Sequence, residues 1–350
     1  MRVLSLFDGM SCGHIALDRL GINVDTYYSS EIDKYALEVS QANYPNIIQL
    51  GDILNWQDWD IDWKSIDLVT GGFPCQSWSV AGKGLGDRDD RGKLFWVMLD
   101  VMKKVMDNNP SAYYLMENVR MKKEFEEYIT MHTENALPNV NKYMINSALV
   151  SAQNRIRFYW TNINNVEQPE DKGIVLKDIL ENDAEEPMYS NIYGGFGEKK
   201  PREHFNKSIT IRANSGGGAI PNIKLKTIKI NKEKKQLTIK EATKKGYTTI
   251  EDGDCFDMTF PNSKTRRGRN MKEKSNCLTA ANYDYMRYEH SEEEKEVYWR
   301  KLSVVECMRL QTVPDGYLMP VSNHQKYKLL GNGWTVDVIC HILKKINNDI

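Results

Sequence analysis

The stretch Ile66 to Lys93, IDLVTGGFPCQSWSVAGKGLGDRDDRGK, decides how the chain is read. Ile66 to Thr70 is an apolar run closed by Gly71-Gly72, the pattern of a strand buried on both faces of a parallel sheet. A loop rich in glycine, serine and charge follows. Pro74 fixes the backbone ahead of Cys75, and Gly82, Gly84, Gly86 and Gly92 loosen the remainder. Ligands of open α/β sheets bind in the crevice beyond the strands' carboxyl ends, so Cys75 is placed where chemistry usually happens. A free cysteine is as often a small buried hydrophobe, and the rest of the chain has to separate the two readings.

Upstream, Arg2 to Phe7 is a β-prone run that breaks at Asp8-Gly9, and Gly13 to Leu20 has helical spacing. Strand, glycine loop, helix is the opening unit of a nucleotide-binding α/β fold. Val24 to Ser30 reads as a second strand ending in Glu31-Ile32-Asp33, where such folds place an acid on a ribose hydroxyl. Beyond the helix Lys34 to Tyr44, Gly51-Asp52-Ile53 reads as a third strand's end, with Asp52 set to accept from an adenine amino group. The loop FDGMSCG lacks the third glycine of the dinucleotide fingerprint, which disfavours a nicotinamide oxidoreductase.

Downstream, Leu94 to Met106 has helical periodicity and Ser111 to Met116 is another apolar strand, closing on Glu117-Asn118-Val119. The apolar run before Glu117 implies its burial, and a buried carboxyl beside a cleft can donate a proton or a hydrogen bond. Tyr143 to Ala152 and Ile156 to Asn162 read as a strand pair around Gln153-Asn154-Arg155. Arg155 and Arg157, two apart on a strand, would share a face and suit an anionic or carbonyl-bearing ligand; a satisfied salt-bridge pair is the alternative. Ser303 with Glu306 forms a capping box opening the helix Val304 to Gln311, and a last amphipathic helix spans Thr335 to Ile346.

Charge is segregated along the chain. Residues 1–160 carry 16 Lys+Arg against 21 Asp+Glu, whereas 199–245 carry 14 basic against three acidic residues and 264–274 six against one. That suggests an acidic catalytic body with a basic module for a polyanion. The 350 residues hold an ample core, and the six cysteines show no CxxC pair, so neither a zinc site nor a disulfide framework is indicated. No signal peptide and no apolar run of spanning length is visible, so a cytoplasmic protein with no membrane partner is expected. The fold expected is α/β, a doubly wound and mostly parallel sheet, with a second, smaller domain; the chain leaves its compact body near Pro169 and returns near Arg300.

With LFDGMSCG, SSEIDKYA, GDI, GGFPCQSWS, DDRGKLF, MENV, QNRIRFY, RLQTVPDGY and GNG in this order, the chain resembles the DNA cytosine-5 methyltransferases of bacteria and phages. The resemblance covers Met1 to about Trp160 and about Arg300 to Ile350. It implies the S-adenosylmethionine-dependent methyltransferase fold, with residues 1–168 and 300–350 catalytic and 169–299 a target-recognition domain. It implies methyl transfer from S-adenosylmethionine, leaving S-adenosylhomocysteine, to carbon 5 of a flipped-out cytosine in a specific duplex sequence, without a metal. Cys75 would be the nucleophile at carbon 6, Glu117 would hold the N3/N4 edge, and Arg155 and Arg157 would grip the base carbonyl and the nearby backbone. Phe7, Asp8, Gly9, Ser11, Cys12 and Gly13 would line the methionine part of the cofactor. Glu31 would take the ribose, Ile32 the adenine face, Asp52 and Ile53 the adenine edge, with Leu94 and Asn332 nearby. Arg266, Arg267 and Arg269 are candidates for phosphate contacts. Two departures stand out: Ser11-Cys12-Gly13 in place of the commoner GxGG ending, and GNGW in place of the frequent GNS. The resemblance also implies a prokaryotic or phage-encoded monomer on double-stranded DNA, with a separate restriction endonuclease where the enzyme is a restriction partner. A tRNA cytosine-5 methyltransferase and a catalytically silent DNA-binding relative are the competing readings.

Overall fold

The computed structural model describes residues 1–74, 90–175, 178–181, 184–190, 202–204, 208–209, 222–225, 238–250, 255–257, 270–271, 285–287, 299–301 and 303–346. Cys75 and the rest of its loop to residue 89 lie outside them, as do Arg266, Arg267 and Arg269. The chain divides into two compact units, Met1–Ile174 with Cys307–Ile350, and Val175–Glu306.

The first unit is built on a seven-stranded sheet. Its strands are β1 (Arg2–Leu6), β2 (Thr26–Ser30), β3 (Ile48–Gln49), β4 (Leu68–Gly71), β5 (Tyr113–Val119), β6 (Asn141–Asn146) and β8 (Ile156–Thr161), with β7 (Gln153–Asn154) a short separate strand. Their order is β3-β2-β1-β4-β5-β8-β6. The first five pair in parallel, and β8 and β6 add antiparallel. The order reverses at β1 and β4, so the crevice beyond their carboxyl ends is where such a sheet takes its ligand.

Alternation along the strands sorts the two faces. Leu4, Leu6, Val69, Tyr114, Met116, Phe158 and Trp160 bury against Phe95, Met98, Leu99, Met102, Val105 and Met106 of α3 (Asp90–Asn108). Each such side chain contributes roughly 2 kcal/mol of transfer free energy. The other face carries the alternate residues Ser5, Thr70 and Glu117. A Cβ on Gly13 of α1 (Cys12–Arg19) would stand 4.0 Å from Thr70 Oγ1, so α1 begins over that face. Helix α7 (Val336–Leu343) packs on α1 and buries Val336, Val338, Ile339, Cys340, Ile342 and Leu343. Helices α2 (Lys34–Asn43) and α4 (Lys123–Ala136) complete the crossovers, and α6 (Asn323–Asn332) takes in Gly331-Asn332 at its end.

Two sequence expectations differ here. Strand β6 stops at Asn146 instead of running to Ala152, because the Asn146 side chain caps the next turn, accepting from Ala148 N (3.1 Å) and Arg155 N (3.0 Å). Such a side chain competes with the ladder for backbone donors. Strand β5, in turn, continues through Glu117 to Val119, opposite Arg157 to Tyr159 of β8.

The second unit is antiparallel among its described residues. Strands β10 (Arg202–His204), β9 (Ala184–Ser190), β12 (Asn222–Leu225) and β18 (Trp299–Lys301) form one sheet. The pair β13 (Thr238–Lys240) with β14 (Tyr247–Thr249), and the trio β16 (Asn270–Met271), β15 (Cys255–Asp257) and β17 (Tyr285–Arg287), form two more. The remaining strand is β11 (Ser208–Ile209). At its end the capping box is complete. Ser303 N donates to Glu306 Oε2 (2.7 Å) and Glu306 N to Ser303 Oγ (3.1 Å), which opens α5 (Val304–Leu310).

Candidate active site

Register places the sequence-distant motifs along one edge. Leu6 lies beside Ser30 and Gly71, and Gly71 beside Met116. The residues that follow, the loop 7–13, Glu31 to Asp33, Gly72 to Pro74 and Glu117, therefore emerge as neighbours. Phe7 (φ 54°), Gly9 (φ 60°) and Ser11 (φ 60°) all adopt left-handed backbone. For Phe7 and Ser11 this costs on the order of 1 kcal/mol each. Asp8 holds the strained loop: its carboxylate accepts from Ser5 Oγ (2.6 Å), Ser11 Oγ (2.5 Å), Tyr27 Oη (2.8 Å) and Ser29 Oγ (3.1 Å). Burial pushes the Asp8 carboxyl above the usual carboxylate range, against the pull of the four hydroxyls. The Asp8 and Ser11 side chains are thus committed to the loop itself. Burial also pushes the Cys12 thiol up to about 12, so that sulfur stays protonated. Its Sγ packs where a Cβ on Gly333 would come within 3.1 Å.

Glu31 sits at the end of β2 and braces the same loop. Its Oε2 accepts from Gly9 N (2.8 Å), and Oε1 from Ile32 N (2.7 Å) and Asp33 N (2.8 Å). Ile32 beside it is 72% exposed. Asp52 caps the turn Ile53–Asp58 by accepting from Leu54 N (3.0 Å), while Ile53 is buried in the core. A Cβ on Gly9 would meet nothing within 4 Å, so open space lies above the loop. A carboxylate, a bare apolar side chain and an open glycine turn at the switch point fit a nucleoside-bearing cofactor. Leu94, on α3, is half-buried against the core, and Asn332 is exposed at the end of α6.

The chemistry end is built on Glu117, whose buried side chain has an oxygen for each of two partners. Oε1 lies 2.9 Å from Arg157 Nε in an ion pair, and Oε2 accepts from Trp334 Nε1 (3.1 Å). Arg157 reaches Glu117 diagonally, being two residues from Tyr159, which pairs directly opposite. Arg155 lies one residue before β8 and is 3% exposed. Its guanidinium donates to the carbonyls of Gly331 (3.3 Å) and Gly333 (2.9 Å). Both guanidiniums thus reach the side of the sheet that carries Glu117, Arg157 directly and Arg155 through the loop that leads into Trp334.

Sequence reasoning missed several residues that shape this end. Asn118 Nδ2 donates to Phe73 O (3.1 Å), anchoring the backbone two residues before Cys75. Gln311 Nε2 donates to Leu330 O (2.6 Å), and its Oε1 accepts from Thr335 Oγ1 (2.9 Å). Gln311 lies in RLQTVPDGY and Trp334 directly follows GNG, so their positions in motifs were the available signal.

The model of the C-5 cytosine-specific DNA methylase family matches residues 1–348. The chain belongs to that family. Its members are DNA cytosine-5 methyltransferases, enzymes whose family function is methylation dependent on S-adenosylmethionine. The chain is 28% identical over 356 residues to the type II methyltransferase M1.ScrFI of Lactococcus lactis subsp. cremoris, covering 99% of this methylase and 77% of that protein. It is 28% identical over 361 residues to the type II methyltransferase M.HpaII of Haemophilus parainfluenzae, covering 98% and 88%. Among solved structures it shares the fold of the methyltransferase EhMeth of Entamoeba histolytica, with a TM-score of 0.58, 12% identity and coverage of 100% and 98%. Among the described residues of this methylase no helix is long and apolar enough to cross a membrane.

Proposed function

We propose that this methylase acts on carbon 5 of a cytosine turned out of a specific duplex DNA sequence, with Cys75 as its nucleophile. The observation that carries the reading is Glu117, buried and clamped by Arg157 and Trp334 beside the end of β4, the strand that leads through Phe73 and Pro74 to Cys75. Carbon 5 of cytosine is too electron-poor to take a methyl group unaided. A thiolate adding to carbon 6 makes it an enamine-like nucleophile, and sulfur is nucleophilic near neutral pH and leaves readily afterwards. Glu117 at the N3/N4 edge accepts from the amino group and shares a proton with N3, which makes carbon 6 electrophilic. Arg157 holds that carboxyl in place. Arg155 acts through the loop 331–333 that it braces. Loss of the carbon 5 proton and expulsion of Cys75 end the cycle.

Glu31, Ile32 and Asp52 would hold the ribose and adenine of S-adenosylmethionine, and the Phe7–Gly13 loop its methionine part. When bound, the cofactor supplies an electrophilic methyl group. Inside a duplex the target carbon is out of reach, so the base must flip. The unit Val175–Glu306 would read the sequence, with the basic residues of 199–245 and Arg266, Arg267 and Arg269 on phosphates. The reading includes a cytoplasmic monomer working beside a separate restriction endonuclease; its bacterial or phage setting is supported by relatives from bacteria and a Bacillus phage.

Transfer of tritium from labelled S-adenosylmethionine to duplex DNA, with the modified position mapped by bisulfite sequencing, tests the reading. Wild-type protein should mark cytosines in one sequence context, and Cys75→Ser should mark none while binding cofactor normally. Labelling of tRNA in place of duplex, or an active Cys75→Ser, would overturn it.

A further inference from the structure

Trp334 directly follows Gly333, the residue that stands where the commoner motif has serine, and two glycines make room for its indole. A Cβ on Gly72 would come 3.1 Å from Nε1 and 3.5 Å from Cζ2, and one on Gly13 would come 3.7 Å from Cζ3. The same Cβ on Gly72 would stand 3.3 Å from Glu117 Oε2, so ring and carboxylate share one small space. The loop that carries the ring is anchored on every side. Gly333 N donates to Leu329 O (2.8 Å), Gln311 Nε2 to Gly333 O (3.3 Å) and Ser147 Oγ to Thr335 Oγ1 (2.9 Å). Arg155 supplies two more bonds from its buried guanidinium.

We propose that Trp334 is a positioning residue for Glu117: its indole N–H fixes Oε2 while Arg157 fixes Oε1, so the carboxyl is oriented before the base arrives. The inference rests on the function proposed above. A terminal carboxyl torsion is broad and two-fold by itself, and needs a partner at each oxygen to hold one angle. Indole N–H is a donor only, so it can supply that partner without taking the base's proton. Arg157 alone leaves Oε2 free to swing, since its Nε meets Oε1 as an ion pair without hydrogen-bond alignment.

Among the described residues, the charged and titratable groups facing Glu117 are Arg157 and Tyr159 from β8, with Arg155 acting on Tyr159 from farther off. Burial and then the Glu117 charge push the Tyr159 phenol up, so it stays neutral throughout the working range. The phenol therefore does not contribute to a pH profile of turnover. A donor to an ionised carboxylate favours that form, and its removal favours protonation.

The test replaces the donor and keeps the ring. Trp334→Phe should lower kcat about tenfold with KM for S-adenosylmethionine within about threefold of wild type. Its kcat-against-pH profile should move upward by roughly 0.5–1 pH unit. Incorporating benzothienylalanine at 334, which keeps the bicyclic shape and lacks the N–H, should reproduce both changes, and this variant decides the matter where Trp334→Phe is misfolded by circular dichroism. A fall in kcat with an unmoved pH profile would make the ring mere packing and overturn the inference. Wild-type protein that methylates no duplex would instead bring down the function itself, and the inference with it.

Discussion

Replacing Arg155 with methionine should loosen the loop 331–335 before any substrate is present. Methionine keeps most of the apolar stem that Arg155 buries, so the loss is chiefly the guanidinium. Two bonds go, at 3.3 Å to Gly331 O and 2.9 Å to Gly333 O, both from a charged donor at a site 3% exposed. Bonds to charged groups contribute about 1.5–3 kcal/mol each. Gly333 O retains the Gln311 amide at 3.3 Å, which offsets part of its loss. The cost is then about 3 kcal/mol. Because the chain has two compact units, a single global transition is a poor gauge. Hydrogen exchange at the amides of residues 333–336 reads the loop directly, and a loss of about 3 kcal/mol should speed it on the order of a hundredfold. Arg155→Lys should recover part of the protection, since one ammonium cannot reproduce the guanidinium fork. Exchange at the wild-type rate, with damage confined to DNA-dependent turnover, would refute this reasoning and return Arg155 to direct contact with the base.

Ile32 is 72% exposed, so Ile32→Ser should change stability by no more than about 0.5 kcal/mol, yet weaken S-adenosylmethionine about fivefold by calorimetry. Glu31→Gln should weaken the cofactor at least tenfold on the same measurement, roughly the worth of one charge-assisted bond, because a carboxylate accepts at both oxygens and an amide at one. Two aspartates should give opposite pH signatures in urea unfolding. Burial opposes ionisation of Asp33, but its bonds from Lys328 and Tyr35 N outweigh this and hold its pKa below the usual value. Its contribution is present above the unfolded pKa and lost as pH falls through the folded one, so Lys328→Ala should lose less stability than wild type on acidification. Asp8, raised by burial, contributes most below the unfolded pKa and loses that contribution as pH climbs through its raised folded value. Asp8→Asn should therefore gain on wild type as pH rises from about 4, and a pH-independent difference would sink the argument.

Much of the first unit is legible because single local signals decide it. Apolar runs closed by Gly or Asp gave β1 and β4, and 3.6-residue spacing gave α1 and α2 to within a residue or two. The capping box at Ser303 needs only two residues three apart, and both its bonds form. What could not be read depends on partners far along the chain. The apolar pattern stops at Met116, whereas β5 runs on because Arg157 and Trp334 accommodate a buried Glu117. Asn146 ends β6 through its own side chain, whose partners include the backbone N–H of Arg155 nine residues on. Trp334 and Glu117 are 217 positions apart, and nothing near either residue announces the other.

The central claim is covalent catalysis by Cys75 on a cytosine, and one trapping measurement reaches it most directly. The protein is incubated with tritiated S-adenosylmethionine and duplex DNA carrying 5-fluorocytosine, which cannot lose its carbon 5 substituent, and is run on a denaturing gel. The account predicts a labelled protein–DNA adduct that forms with wild type and vanishes with Cys75→Ser. An adduct that persists in Cys75→Ser, or its absence from duplexes that the wild-type protein demonstrably methylates, would contradict it.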